Sequence, residues 1–454
     1  MKTESPAFGN PQAGLAIYAT ICASVVALLL LTNWPAYHFA IRGGPIPLYY
    51  FALPGLFIVP IVFAEPATGV RFFKEPLFWW FVVYVLLGLL WLLLSQDFIE
   101  EASRQWRQRV LALYFFFTIT ILVSNAKPRF LALVIVGCLV IATAASWFDL
   151  MRPYRFVPEG IEGANAGRGA GFYMNANAAA SFVIMGTIAA LPFVPMRFRA
   201  LLLAGALVGV APTLSRSGFI FVIVAIAGSI MLKLLNRVQA ILVIAALPVL
   251  VGATVVYYDR LIVSSDSSNL EKTVDRLRWF EGEEDASSEE RRWVAAHARD
   301  MFIEEPLLGH GIGATTLERL GAGPHNMYVA LMAEQGVFGL ALYVSLIVIM
   351  FRQGRRIART SPTAQGQDIG RAMAVYALFL AAYGMFSHNV LEEAHGMFAI
   401  AFLAAAGLGA GGASAVVQHA RPLPARARWR TTGAPVTRLE PPIGGADGKT
   451  TPSA

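Results

Sequence analysis

The sequence predicts an all-α polytopic membrane protein with about twelve transmembrane helices, and three observations carry that prediction. Of its 454 residues, 56% are hydrophobic and only 14% charged, and the mean hydropathy of +0.58 lies far outside the range of a water-soluble domain. Uncharged runs such as LFWWFVVYVLLGLLWLLL (Leu77 to Leu94) and FIFVIVAIAGSIML (Phe219 to Leu232) reach or approach the length that crosses a bilayer. Backbone groups in hydrocarbon have no water to bond, so such runs must close their hydrogen bonds internally, as helices.

Taken in order, the spans centre on residues 15–33, 46–65, 77–95, 110–124, 129–148, 178–195, 198–214, 217–235, 238–257, 326–351, 372–391 and 396–412. The first follows MKTESPAFGNPQ, which has neither a basic n-region nor a compact cleavage site, so it is read as a retained helix. With the N-terminus inside, the cytoplasmic turns hold Arg71, Lys74, Lys127, Arg129, Arg197, Arg199, Lys233, Arg237, Arg352, Arg355, Arg356, Arg359 and Arg371. Three outer connections are also basic: Arg104, Arg107 and Arg109; Arg152, Arg155 and Arg168; and Arg276, Arg278, Arg291, Arg292 and Arg299. These exceptions call either for a function or for pairing with neighbouring acids. The net charge of +7 is mostly this topology signal, and without a basic patch interleaved with aromatics it does not point to nucleic acid. Cys22 and Cys138 both fall inside spans, as reduced packing residues.

Four regions result. Residues 1–257 carry spans one to nine, 258–324 form an outer loop domain containing helices, 325–412 carry the last three spans, and 413–454 form a disordered cytoplasmic tail rich in Ala, Gly, Pro, Arg and Thr. Within the loop, SSEERRWVAAHARDMFIEEP reads as a helix capped by Ser287 or Ser288 with acids in its first turn. The spacing puts Arg291, Ala295, Ala298 and Phe302 on one face of it.

Arg216, in APTLSRSGFIF, stands between two apolar runs. An arginine so near hydrocarbon costs on the order of 3 kcal/mol unless it snorkels, finds a partner or meets an anion, and the anion is the reading preferred here. Arg168 opens RGAGFYMNANAAASF, where Gly169, Gly171, Asn175 and Asn177 suit a tight turn with polar groups at a helix N-terminus. In the N-inside topology Arg168, Arg216 and Arg291 share one side of the membrane, and guanidinium groups bind phosphate or pyrophosphate bidentately.

The stretch PHNMYVALMAEQGVFGL places His325 and Asn326 before a long apolar helix, with Glu334 about 13 Å further in at the helical rise. A helix N-terminus disfavours imidazolium, so His325 is expected to stay neutral near pH 7 and to accept a proton. The same residues also read as a plain helix start, with Asn326 or His325 as the cap. In SHNVLEEAH, His388, Glu392 and His395 have a spacing that could gather a metal, but the segment lies at a turn between spans and is not HExxH, so no metal site is assigned. PLLGHGIGATT lacks the lysine of a nucleotide-binding loop. Trp79, Trp80, Trp91 and Trp106 are read as interface anchors or packing residues.

Together, PLLGHGIG and PHNMYVALMAEQGVFGL resemble the signature of the O-antigen ligase and O-antigen polymerase superfamily: an Arg-led helix, PLLGxG, then HNxYL with a downstream glutamate and GxxGL. Arg291 stands ahead of Pro306 at about the family's spacing, SRSG is similar to its SR-G turn, and RGAGFYMNAN resembles its R-x-G-x-F-x-N-x-N stretch. The resemblance covers residues 165 to 345. It implies a GT-C-type membrane glycosyltransferase on the periplasmic face of a bacterial inner membrane, with both termini cytoplasmic. The implied donor is a glycan on undecaprenyl pyrophosphate and the implied acceptor is lipid A-core. By this resemblance Arg216 and Arg291 hold the pyrophosphate and His325 acts at the acceptor hydroxyl. Arg168, Asn177, Asn326, Tyr328 and Glu334 match motif positions whose roles are less defined, and Arg292 is a second candidate beside Arg291. A lipid pyrophosphate is already a good leaving group, so the expected chemistry is cationic charge neutralisation plus proton removal, with no metal or other cofactor.

Within the family, polymerisation of repeat units and transfer to a protein hydroxyl compete with ligation. The short basic tail, predicted cytoplasmic, counts against protein modification, and the single dominant outer loop favours the ligases. A lipid-linked glycan flippase would distribute charges along a central cavity, whereas this chain crowds its unusual arginines and histidine at one face.

Overall fold

A computed structural model describes residues 11–43, 47–95, 99–152, 155–157, 168–246, 252, 286–316 and 324–419. Residues 1–414 form one compact unit; of the second, from Ala415, only the end of a helix is described. Most of the loop domain expected at 258–324 and of the tail expected at 413–454 therefore lies outside the described residues.

The described residues contain helices and no strand. In chain order they are α1 (Pro11–Leu31), α2 (Trp34–Arg42), α3 (Leu48–Ala64), α4 (Pro66–Phe72), α5 (Pro76–Leu94), α6 (Ile99–Asn125), α7 (Pro128–Met151), α8 (Ala176–Ala190), α9 (Arg199–Val210) and α10 (Arg216–Met231). Then follow α11 (Arg237–Ala246), α12 (Ala286–Glu304), α13 (Met327–Thr360), α14 (Ala364–Tyr383) and α15 (Ala394–His419). Among the described residues seven helical segments are long and apolar enough to cross a membrane. Shorter apolar helices occupy Leu48–Ala64, Arg216–Met231, Arg237–Ala246 and Ala394–Ala410.

Each of the twelve expected spans thus contains a helix, but several are too short or too polar to count as spans by that measure. The reasons are local. Helix α3 has 17 residues, with Pro54 and Pro60 inside it, and α14 opens with Gln365, Gln367, Asp368 and Arg371. The span expected at 372–391 stops at Tyr383, and residues 384–393 form a loop instead. Conversely, α6 begins at Ile99, so the basic connection of Arg104, Arg107 and Arg109 is the first three turns of a helix.

Packing rather than water exclusion holds helices together in a bilayer. Phe81 stacks on Phe116 with centroids 4.7 Å apart, and Phe221 meets Phe379 edge-on at 5.4 Å. Helices α13 and α14 cross where Gly354 faces Gly370; a Cβ on either would fall against the other's carbonyl oxygen. Helix α8 is buried on nearly every side, while Phe63, Leu93, Leu133, Leu201 and Met231 are exposed apolar residues of a kind that faces lipid. An apolar groove of about 680 Å³ runs between α7, α8 and α9, with Leu139, Val140, Val183, Leu201, Gly205 and Val208 on its walls.

The two ends of the bundle are polar and different. At one end Asp368 joins Arg199 (2.6 Å) and Arg371 (2.7 Å), and Arg199 also donates to Leu234 O at 2.9 Å. There Glu75, 1% exposed, accepts from Gln353 Nε2 at 2.6 Å, and burial pushes its carboxyl up to about 7. At the other end the N-termini of α6, α8, α10 and α13 gather with the C-termini of α1, α5, α7 and α14. Tyr173 donates to Leu31 O at 2.5 Å, Trp91 to Leu308 O at 2.7 Å, and the N–H of Met327 to Gly384 O at 2.7 Å.

Candidate functional site

The end with the four helix N-termini holds the residues singled out from sequence. Asp149, in the last turn of α7, accepts from the N–H groups of Ala170 (2.9 Å) and Gly171 (3.0 Å), fixing the turn before α8. Asn175 caps α8 through the N–H groups of Asn177 and Ala178, a contribution of about 1 kcal/mol. Arg168 donates from Nε to Thr213 O and from Nη2 to Asn177 Oδ1, each at 2.8 Å. Asn177 Oδ1 also accepts from Ser215 Oγ at 2.8 Å, and Ser215 in turn caps α10 through the N–H of Gly218. RGAGFYMNAN and SRSG, apart in sequence, are therefore one hydrogen-bonded unit. Arg216 is the first residue of α10 and partly exposed at its edge.

His325 is exposed immediately before α13. Asn326 is the cap of that helix and accepts from the N–H groups of Tyr328 (3.0 Å) and Val329 (3.3 Å). Tyr328 donates its hydroxyl to Ala381 O at 2.8 Å and meets Tyr343 edge-on, so it joins α13 to α14. The ring of His325 lies 5.6 Å from that of His388, centroid to centroid. Burial, reinforced by His325, lowers the His388 imidazole to about 4.

Helix α13 is kinked at Gly336 (φ 61°, ψ −153°), in the left-handed region that only glycine enters at low cost. PLLGHGIG occupies the break: Val337 N–H donates to Pro306 O at 2.9 Å, His310 N–H to Ala333 O at 3.0 Å, and Gly311 N–H to Glu334 O at 2.9 Å. A Cβ on Gly336 would overlap the Leu307 carbonyl. Glu334, 5% exposed, accepts from Thr315 Oγ1 at 2.6 Å. A hydroxyl therefore bonds this carboxylate directly. Arg109 acts on it only through charge, its own Nη1 bonding Gln335 Oε1 at 3.3 Å and its guanidinium resting 4.4 Å from the centroid of Tyr84.

The N-terminal turns of α6 complete this end. Arg104 forms a paired contact with Glu101, and Gln105 reaches Thr316 Oγ1 at 3.4 Å. Gln108, with its amide NH2 turned to the carboxylate, donates to Glu392 at 3.0 Å and accepts from Arg104 at 3.2 Å. Arg104 and Arg109 therefore have acidic or amide neighbours of their own. Helix α12 packs Val294, Ala298 and Met301 against Ala314, Val329 and Ala333. The packed face is turned by about one residue from the one expected, because Val294 and Met301 offer more apolar surface than Ala295. Arg291 and Arg292 are both exposed, Arg291 three residues before Val294 at the edge of that face.

Residues 200–344 match the protein-family model described as O-Antigen ligase. Over that segment the chain is similar to the O-antigen ligase family. Arg216, Arg291, Arg292, His325, Asn326, Tyr328 and Glu334 lie inside the matched segment, and Arg168 and Asn177 lie before it. No curated protein matches the chain at a significant level.

Segment 384–393 is what sequence reasoning missed. Its HxxxE spacing raised only the idea of a metal, and the three side chains diverge. His388 faces His325, Glu392 faces Gln108, and His395 bonds Glu393 (3.0 Å) and Ser181 (3.3 Å). Among the described residues no group of three or more His, Cys, Asp or Glu could hold a metal ion. The polar run SHN…EE, read as a turn between spans, was the available signal.

Proposed function

We propose that this chain is an O-antigen ligase that transfers a glycan from undecaprenyl pyrophosphate to the lipid A-core oligosaccharide, on the periplasmic side of a bacterial inner membrane and with both termini in the cytoplasm. The observation that carries this reading is the convergence of helix N-termini at one end, with Arg216 first in α10 and His325 directly ahead of α13. N-termini and guanidinium groups favour a di-anion such as pyrophosphate, and a neutral histidine beside them can take a proton. Arg168 and Asn177 act one step back, by fixing the SRSG turn from which Arg216 projects. The groove between α7, α8 and α9 suits a polyprenyl chain held in the bilayer.

In this reaction the acceptor hydroxyl attacks the anomeric carbon and its proton passes to His325. The bond from that carbon to the pyrophosphate oxygen breaks with its electron pair, and Arg216 and Arg291, with Arg292 alongside, neutralise the charge that grows there. Single displacement inverts the anomeric centre. No step needs a metal.

The test combines purified protein, lipid-linked glycan donor and rough lipopolysaccharide in EDTA, with His325→Ala beside it. A shifted lipopolysaccharide band that the variant lacks supports the ligase. A ladder of lengthened lipid-linked glycan from donor alone makes the protein a polymerase with the same chemistry and another acceptor. A product linkage that keeps the donor's anomeric configuration rules out direct attack with His325 as base.

A further inference from the structure

The loop between α14 and α15 is fastened to α6, α8, α10 and α13 at the candidate site. Gly384 O accepts the N–H of Met327 at the start of α13, and Phe386 packs edge-on against Phe221 of α10 at 5.7 Å. Glu392 is held by Gln108 of α6. Glu393 receives the Tyr383 hydroxyl at 2.8 Å and pairs with His395, which meets Ser181 one turn below Asn177 on α8. Within this frame the ring of His388 stands 5.6 Å from His325. Its Nδ1 is buried and meets no hydrogen-bond partner among the described residues. A buried imidazole nitrogen without a partner is costly and calls for an explanation. The charged or titratable groups that face His388 are His325 ahead of α13, Glu393 of the loop and Arg104 of α6.

Resting on the reading of His325 as the base, we infer that His388 is a positioning residue that orients the His325 ring and supports the imidazolium formed there during transfer. The proton balance is unchanged: His325 takes the acceptor's proton while the new carbon–oxygen bond forms and the pyrophosphate leaves with the electron pair. His388 takes none. It stays neutral, so it adds no repulsion and can offer a lone pair to the proton on its neighbour.

The experiment measures the transfer rate against pH for the full-length protein and for His388→Phe, His388→Gln and His325→Ala. Phenylalanine keeps the ring packing and removes the nitrogens; glutamine returns a polar acceptor. Without its support the imidazolium of His325 is less stable, so in His388→Phe the midpoint of the rising limb moves to lower pH. Its plateau falls about tenfold or more, donor binding stays as in the wild type, and His388→Gln recovers part of the rate. A His388→Phe enzyme with wild-type plateau and midpoint overturns the inference, as does a glutamine variant no faster than phenylalanine. If phenylalanine prevents folding, glutamine against wild type carries the same comparison: an unmoved midpoint and plateau overturn it. Transfer that survives in His325→Ala overturns the base assignment itself, a distinct failure from that of His388 alone.

Discussion

Arg168 and Arg216 stand at the same polar end yet differ in what their substitution should do. Arg168 donates to Thr213 O and Asn177 Oδ1, both protein groups, so Arg168→Lys should lower the melting temperature by a few degrees and activity only as a consequence. Arg216 begins α10 with Ser215 already occupied as its cap. Arg216→Lys keeps the charge and loses the planar fork, and we expect kcat/KM to drop roughly 10- to 100-fold, more than for Arg168→Lys. Melting curves and initial rates for the two variants check this, and the opposite assignment of effects would exchange the two roles. Sequence showed Arg216 as a costly residue between apolar runs and Arg168 at the opening of a tight turn, but not that Arg168 is bonded into the turn on which Arg216 stands.

At the scale of elements, α13 is a helix broken on purpose at Gly336, with PLLGHGIG supplying the hydrogen bonds the break leaves open. Gly336→Ala adds left-handed strain and an overlap with the Leu307 carbonyl. We expect a loss of about 2 kcal/mol or more, read as lowered thermal stability and as faster proteolysis of the 306–313 segment. Glu75 ties the turn before α5 to α13 from the opposite end. Its carboxyl is raised by burial to about 7, so ionisation penalises the folded state: stability is greatest below the unfolded value and falls as pH rises toward 7. Glu75→Gln should therefore be neutral near pH 4 and stabilising by about 3 kcal/mol above pH 7. Thermal melts across pH measure it; a gain that is largest at low pH would contradict the sign.

On the scale of the whole molecule, an apolar groove and a polar end belong to one bundle, an arrangement that suits the proposed transfer from a bilayer-anchored donor. Gly205 lines the groove with open space where a side chain would project. Gly205→Phe should fill it, raising KM for a long polyprenyl donor about tenfold while a short-chain donor analogue is used as before. Equal effects on both donors would show that the groove does not hold the chain.

The sequence by itself determined the all-helical class and singled out the candidate residues. Apolar run length dictates helices in a membrane, Asn175, Ser215 and Asn326 stand where helix starts need caps, and Arg216 and His325 are conspicuous because charge and imidazole are costly next to hydrocarbon. Only the tertiary structure decided who meets whom. Arg104 and Arg109 look like topology exceptions until Glu101, Glu392 and Gln335 close around them. His388 looks like one polar residue of a turn between spans until the chain turns at Gly384 and sets it against His325. The physical reason is range: hydropathy and capping act over one or two helical turns and can be read locally, whereas these partners are separated by tens to hundreds of residues and are joined only by how the helices pack.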